Sequence, residues 1–114
     1  MPITTQEEGK LVTVFVDGAI DSQIGASLGG ATQAAAGKGV KRFLVNLQKA
    51  KQANSAGLEA LVKVAQQVTQ GGGRFALVGP SPLLLDILKA TRLDRRFALF
   101  ESTEQAIQNL RMEA

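Results

Sequence analysis

Short runs of β-branched and aromatic residues alternate along the chain with longer segments in which apolar residues recur at helical spacing. The runs predict strands at 3–6, 11–16, 40–47, 74–78 and 95–100. Strands separated by helices pair in parallel through right-handed crossovers, whereas the first two runs favour a hairpin. The alternation therefore predicts one α/β domain over residues 1–114. Its sheet should be mixed and mostly parallel, with four to five strands and about four helices.

Each predicted helix begins at a residue that favours an N-cap. The first starts after Asp21 or Ser22 and ends at 37–39, with small residues that permit close packing and a core face of Ile24, Leu28, Ala31 and Ala35. The others are predicted at 55–70, 82–91 and 102–111, with start signals at Asn54-Ser55, at Ser81-Pro82 and in the capping box from Ser102 to Gln105.

Cysteine and histidine are both absent from the chain. The first absence excludes a disulfide framework, a thiolate metal site and a cysteine nucleophile. The second removes the commonest general base and the commonest metal ligand. The composition therefore argues against an enzyme, and no cofactor or metal is expected.

The charge pattern does not favour a nucleic-acid partner. The net charge is +3, and the basic residues are scattered singly or in pairs such as Arg95-Arg96. There is no Tyr or Trp on which bases could stack. No apolar run approaches the roughly 18 residues needed to span a bilayer, and residues 1–8 lack the features of a secretory signal. We therefore expect a cytoplasmic protein with no direct nucleic-acid binding and no membrane insertion.

Three glycine-rich places invite comparison with nucleotide loops. The segment 71–73 lies between a helix and a strand, which is the reverse of the order in a phosphate loop. The segment 25–30 lies inside a helical pattern and lacks the P-loop lysine. The segment 79–82 has the right order, but its prolines remove N–H donors. All three are expected to be structural.

The acids nearest to predicted strand ends are Asp17, Asp21 and Asp86. None belongs to a paired-carboxylate motif, and no histidine is available to work beside them. A helix cap is the expected role of Asp21.

Leu83, Leu84 and Leu85 are consecutive in a predicted helix. Three successive residues cover about 200° of a helix, whereas a core-facing stripe is usually a little over 100° wide. Leu84 is expected to face the core, so at least one of Leu83 and Leu85 should be partly exposed. Such a leucine is either an ordinary surface residue or part of a docking surface for a partner.

The junction between the third strand and the second helix is the most informative stretch. Asn54 and Ser55 both favour an N-cap, and apolar residues then recur at helical spacing: Leu58, Leu61, Val62, Ala65 and Val68. A serine here lies beside unpaired backbone N–H groups and the positive end of the helix dipole. Ser55 is therefore either a helix cap or the site of a phosphate switch.

The chain resembles the STAS domain of anti-sigma factor antagonists over nearly its full length. The segment 54–58, Asn-Ser-Ala-Gly-Leu, is similar to the signature Asp-Ser-Ser/Ala/Thr-Gly-Leu/Ile/Val. The other matching segments are 16–21, which is similar to a strand and loop ending in Gly-x-Leu-Asp, and 43–47, 72–79 and 88–97, which resemble later strands and their approaches.

This resemblance implies a single STAS domain that is a binding module rather than an enzyme. In the family, the serine of the signature is phosphorylated by an anti-sigma factor kinase, which implies Ser55 as the acceptor here. The unphosphorylated antagonist binds the anti-sigma factor and releases a sigma factor, and a phosphatase resets the phosphorylated form. The partner-binding residues expected from the resemblance and from the leucine pattern are Asp21, Asn54, Ser55, Ala56, Gly57, Leu83 and Leu85.

The chain departs from the signature at Asn54, where the family has Asp. Asparagine keeps the capping ability but loses a charge, so a constitutive, unphosphorylated antagonist is an alternative. The resemblance equally allows a STAS scaffold in a stressosome-like assembly or a subunit of a lipid-transport complex. A small nucleotide-binding or enzymatic α/β domain is a further hypothesis, and the missing phosphate loop and histidine count against it.

Overall fold

The computed structural model describes residues 3–112. In this range the chain forms one α/β domain. Its strands are β1 (Ile3–Glu8), β2 (Leu11–Ile20), β3 (Arg42–Ala53), β4 (Arg74–Val78) and β5 (Ala98–Phe100). Its helices are α1 (Ser22–Gly37), α2 (Ser55–Gln70), α3 (Pro82–Ala90) and α4 (Thr103–Met112), and a 3-10 turn spans Leu93–Arg95.

The strands form a single sheet in the order β1-β2-β3-β4-β5. β1 pairs with β2 in the antiparallel sense, and each later pair of neighbours is parallel. This arrangement confirms the predicted fold class. Because every right-handed crossover steps to the next strand in the same direction, α1, α2 and α3 all lie on one face of the sheet. α4 lies on the other face.

The core has two parts, one on each face of the sheet. The larger cluster joins β2, β3 and β4 to the first three helices and includes Val14, Val45, Leu77, Leu28, Leu61 and Leu84. The smaller cluster joins the same strands to α4 and includes Leu11, Leu44, Ala76, Val78, Ala106 and Leu110. Successive strand residues point to opposite faces, so Leu44 and Val45 belong to different clusters.

α1 and α2 approach each other closely where Gly25 faces Ala60. Gly25 is buried, and a Cβ at this position would overlap the Ala60 side chain. Gly25 is therefore one of the small residues of α1 that allow it to pack closely on α2, as the sequence predicts. This contact holds the N-terminal halves of the two helices side by side.

Three strands extend further than the sequence pattern predicts, β1 by only two residues, 7–8, and β2 and β3 by more. The segments 18–20 and 48–53, expected to be irregular, instead continue β2 and β3 and pair with each other through Ile20 and Ala53. The paired extension lies beyond the end of β4, because Val78, the last residue of β4, pairs with Asn46 of β3. Within 48–53, the part of the extension that belongs to β3, Ala50 is the one buried residue. This segment therefore has almost no apolar alternation that would predict a strand.

Two other expectations are also corrected. The last strand is only Ala98–Phe100, because Leu93–Arg95 forms a 3-10 turn instead. In α1, Thr32 is buried where Ala31 was expected on the core face. Its hydroxyl donates a hydrogen bond to the Gly29 carbonyl at 3.0 Å, which satisfies the polar group and permits burial.

Arg92 adopts a left-handed conformation after α3, with φ 62° and ψ 15°. A side chain in this region costs about 1 kcal/mol or more, whereas glycine pays no such cost. We expect Arg92→Gly to raise the free energy of unfolding by roughly 0.5–1 kcal/mol, measured by urea denaturation. Arg92→Ala retains the steric cost and is the control, so equal stabilisation by both variants would contradict this explanation.

Candidate functional site

Three helix N-termini lie along the edge of the sheet where the parallel strands end. β2 leads into α1, β3 into α2 and β4 into α3. Each helix is capped by the side chain before it: Asp21 accepts a hydrogen bond from Ile24 N–H at 2.9 Å, Asn54 from Gly57 N–H at 2.9 Å, and Ser81 from Leu84 N–H at 3.2 Å. The predicted capping role of Asp21 is confirmed.

A backbone hydrogen bond connects the segments that cap α1 and α2. The Asn54 N–H donates a hydrogen bond to the Ile20 carbonyl at 3.1 Å. Gly57 packs on that carbonyl and on the backbone nitrogen of Asp21, and a Cβ on Gly57 would overlap them. Asp21 therefore lies beside the segment that contains Ser55. Gly57 itself is buried, so its part in this site is to fix the backbone.

Ser55 is the first residue of α2, and its side chain is exposed. Because Asn54 supplies the cap, the Ser55 hydroxyl makes no hydrogen bond within residues 3–112. The first N–H groups of a helix have no intrahelical partner, and the Asn54 side chain accepts a hydrogen bond only from that of Gly57. The N–H groups of Ser55 and Ala56 therefore remain near the exposed hydroxyl, beside the positive end of the dipole.

A groove of about 390 Å³ begins at Ser55 and separates α2 from the segment that follows α3. We call it the Ser55 groove. Its apolar lining comes from Leu58, Val62 and Leu93, and its charged lining residues are Glu59, Lys63 and Arg96. Cations thus outnumber carboxylates in the groove. Because Ser55 lines one end of this groove, a substituent on its hydroxyl would change which partner groups the groove can accept.

The sequence did not identify the Ser55 groove, because Leu58 and Val62 were interpreted only as apolar residues at helical spacing, and Leu93 only as part of the approach to the last strand. Leu58 is buried, whereas Val62 is only partly buried. No signal in the sequence separates Val62 from the core residues, because the apolar stripe predicted on α2 is about as wide as core packing requires. The three leucines of α3, in contrast, exceed that width.

Those leucines are arranged as predicted. Leu84 is 1% exposed and Leu83 is 59% exposed, while Leu85 is partly buried. Leu83 is exposed on α3 but does not line the Ser55 groove. Leu85 points to the other side of α3 and lines a separate recess. The expected partner-binding residues therefore do not all line one groove.

A sequence profile of the STAS domain matches residues 2–106. The chain belongs to the STAS domain family. A Thermotoga maritima protein named as an anti-sigma factor antagonist is 27% identical over 74 residues, which is 65% of this chain and 66% of that protein. The match therefore spans slightly less than two thirds of the relative's length.

Solved structures of other proteins share the fold. A crystal structure of a Thermotoga maritima protein described as an anti-sigma factor antagonist has a TM-score of 0.85 at 19% identity, covering 96% of this chain and 94% of the other. SpoIIAA in its unphosphorylated form has a TM-score of 0.81 at 17% identity, covering 96% of each chain. The phosphorylated form of SpoIIAA, from Bacillus, has a TM-score of 0.72 at 16% identity, covering 94% and 97%.

Three features of other kinds of protein are not found among the described residues. No group of three or more acidic side chains among them could hold a metal ion. None of the helices in residues 3–112 has the length and apolarity to cross a membrane. The sequential strand order also gives no point at which the crossovers reverse direction, and such a reversal is where open α/β sheets usually form a ligand crevice.

Proposed function

We propose that this protein is an anti-sigma factor antagonist of the cytoplasm. It binds an anti-sigma factor at the Ser55 groove and so releases a sigma factor. The observation that carries the proposal is the position of Ser55, which is exposed, uninvolved in capping and at the end of an apolar groove. The chain belongs to the STAS family, and a relative that it matches is named as an antagonist. The chain acts as a binding module and a kinase substrate rather than as an enzyme.

Phosphorylation of Ser55 would work as a switch without unfolding the domain. A phosphoryl group adds nearly two negative charges, which the dipole and the first N–H groups of α2 tolerate. In the Ser55 groove those charges would have to be desolvated under a bound partner, and they would face any acidic group that Lys63 and Arg96 had attracted. The phosphorylated form therefore releases the anti-sigma factor, and a phosphatase restores binding.

Asn54 supports a second candidate function. Its side chain caps α2 through a hydrogen bond of 2.9 Å, as an Asp would, but it carries no charge. If the carboxylate of the family signature helps a kinase to recognise the serine, this chain is a STAS module that is not phosphorylated. It would then be a constitutive antagonist, or a scaffold in a stressosome-like or lipid-transport complex.

Incubation with anti-sigma factor kinases from the same genome and ATP tests the proposal. We expect intact-mass measurement to show one added phosphoryl group on the wild type and none on Ser55→Ala. Ser27→Ala is the matched control, because Ser27 is exposed on α1 and takes no part in a cap, and it should be modified like the wild type. Asn54→Asp keeps the cap and should be modified at least as fast as the wild type.

The outcomes separate the two functions. Modification of the wild type and of Ser27→Ala, but not of Ser55→Ala, supports the switch. Modification of Asn54→Asp alone supports the constitutive antagonist or scaffold. Modification of Ser55→Ala would place the acceptor elsewhere and overturn the role given to Ser55.

A further inference from the structure

A second recess of about 480 Å³ lies between the N-terminus of α3 and β5. Its apolar lining includes Pro82, Leu85, Leu99 and Phe100. We call it the β5 recess. Among the described residues it shares no lining residue with the Ser55 groove, and Leu85 is the predicted partner-binding residue that lines it.

β5 forms one edge of the sheet and pairs only with β4 in the described structure. Phe100 accepts a hydrogen bond from Gly79 N–H at 2.8 Å, so its backbone polar groups point towards β4. Because the backbone groups of successive strand residues point to opposite edges, the N–H and C=O of Leu99 point outward. An outward-facing pair of this kind can accept an additional strand.

The charges of the β5 recess specify what such a strand would carry. Asp86 and Glu101 line it, and no Lys or Arg within residues 3–112 does. Two carboxylates without a cation stand out in a chain of net charge +3. They disfavour β1 of a second copy as the occupant, because β1 ends in Glu7-Glu8 and would bring like charges together. Complementarity instead requires a basic segment.

We propose that the β5 recess binds an extended segment of another protein in which Lys or Arg lies two positions before and two positions after an apolar residue, so that the three side chains share one face. The segment adds a strand to β5 by pairing with the backbone of Leu99. Its apolar side chain enters between Leu85 and Leu99, which lie on the α3 face of the sheet, and its basic side chains meet Asp86 and Glu101. This interaction uses no part of the Ser55 groove and does not depend on phosphorylation of Ser55.

Titration of the isotope-labelled protein with short capped peptides, followed by NMR, tests the proposal. The probe is acetyl-Lys-Thr-Val-Thr-Lys-amide, whose Lys and Val side chains share one face when it is extended. We expect amide shifts at 85–86 and 99–101. The acidic peptide acetyl-Glu-Thr-Val-Thr-Glu-amide should bind at least tenfold more weakly. The double variant Asp86→Lys/Glu101→Lys should weaken binding of the basic peptide at least tenfold, whereas Glu8→Lys on β1 should leave it unchanged.

Two N-methylated versions of the basic peptide test the strand pairing. One is modified at both Thr nitrogens and the other at the Val nitrogen. An extended strand presents alternate N–H groups to opposite edges, so one version should lose binding and the other should keep it. Equal binding by both N-methylated peptides, equal binding by the acidic peptide, shifts centred on β1 or the Ser55 groove, or no shifts at all would each overturn the proposal.

Discussion

Gly57→Ala should lower the free energy of unfolding by about 2 kcal/mol or more, because its Cβ has no space. The new atom would overlap the carbonyl of Ile20 and the backbone nitrogen of Asp21. Neither can move easily, since the Ile20 carbonyl also accepts the hydrogen bond from Asn54 N–H. For a domain of this size, such a loss lowers the melting temperature by about 10 °C. Thermal and urea unfolding measure it directly.

Gly30→Ala is the matched control for Gly57→Ala. Gly30 is exposed on α1, and nothing lies within 4 Å of where its Cβ would be. Alanine favours the helix over glycine by about 1 kcal/mol, so this variant should be as stable as the wild type or more stable. If Gly57→Ala were equally stable, the tight contact between the start of α2 and the end of β2 would not exist as described.

This contact explains why the signature requires glycine after Ser55-Ala56. The sequence identified the position by resemblance, but its reason lies in β2, which is more than 30 residues away along the chain. Helix caps behave differently, because a cap and the N–H group that it accepts from lie within three residues of each other. Local sequence therefore predicts Ser81 as a cap and limits the other two to Asp21 or Ser22 and to Asn54 or Ser55, of which Asp21 and Asn54 are the caps in the structure.

The extension of β3 could not be predicted in the same way. Gln48, Lys49, Lys51 and Gln52 are all exposed, so hydrophobic alternation is almost absent from a segment that is nevertheless a strand. Its backbone is held by pairing with the end of β2, for example Asp17 with Lys49. A strand stabilised mainly by its neighbour leaves little trace in composition.

The Ser55 groove was hidden for a related reason. Whether Val62 and Leu93 fill the core or line a surface depends on how far α2 stands from the segment after α3, and no local pattern gives that distance. The exposure of Leu83 was predictable because three adjacent leucines exceed the width of any single buried stripe. The sequence therefore predicts the junction between β3 and α2 well. It predicts the surrounding surfaces only where a helix has more apolar residues than its core-facing stripe can hold.

Ser55→Asp should leave the domain folded and abolish binding to the anti-sigma factor. The new carboxylate lies in the first turn of α2, where the dipole favours negative charge by roughly 0.3–1 kcal/mol, so unfolding should occur at the same temperature or slightly higher. At the end of the Ser55 groove the charge must be desolvated beneath the partner, and it would face any acidic group of the partner that Lys63 and Arg96 attract. We expect a loss in affinity of at least a hundredfold, or about 2.7 kcal/mol, by isothermal titration calorimetry.

Two variants isolate the position of the charge from the loss of serine. Ser55→Ala removes the hydroxyl without adding charge and should bind within a few-fold of the wild type, because Asn54 still caps α2. Ser27→Asp adds the same charge on the exposed side of α1 and should also bind normally. A Ser55→Asp protein that unfolds, or that binds as tightly as Ser27→Asp, would show that a charge at the start of α2 is not what controls the partner. Loss of binding by Ser55→Asp alone would mean that a single negative charge at this helix N-terminus is enough to switch the surface while the fold beneath it stays unchanged.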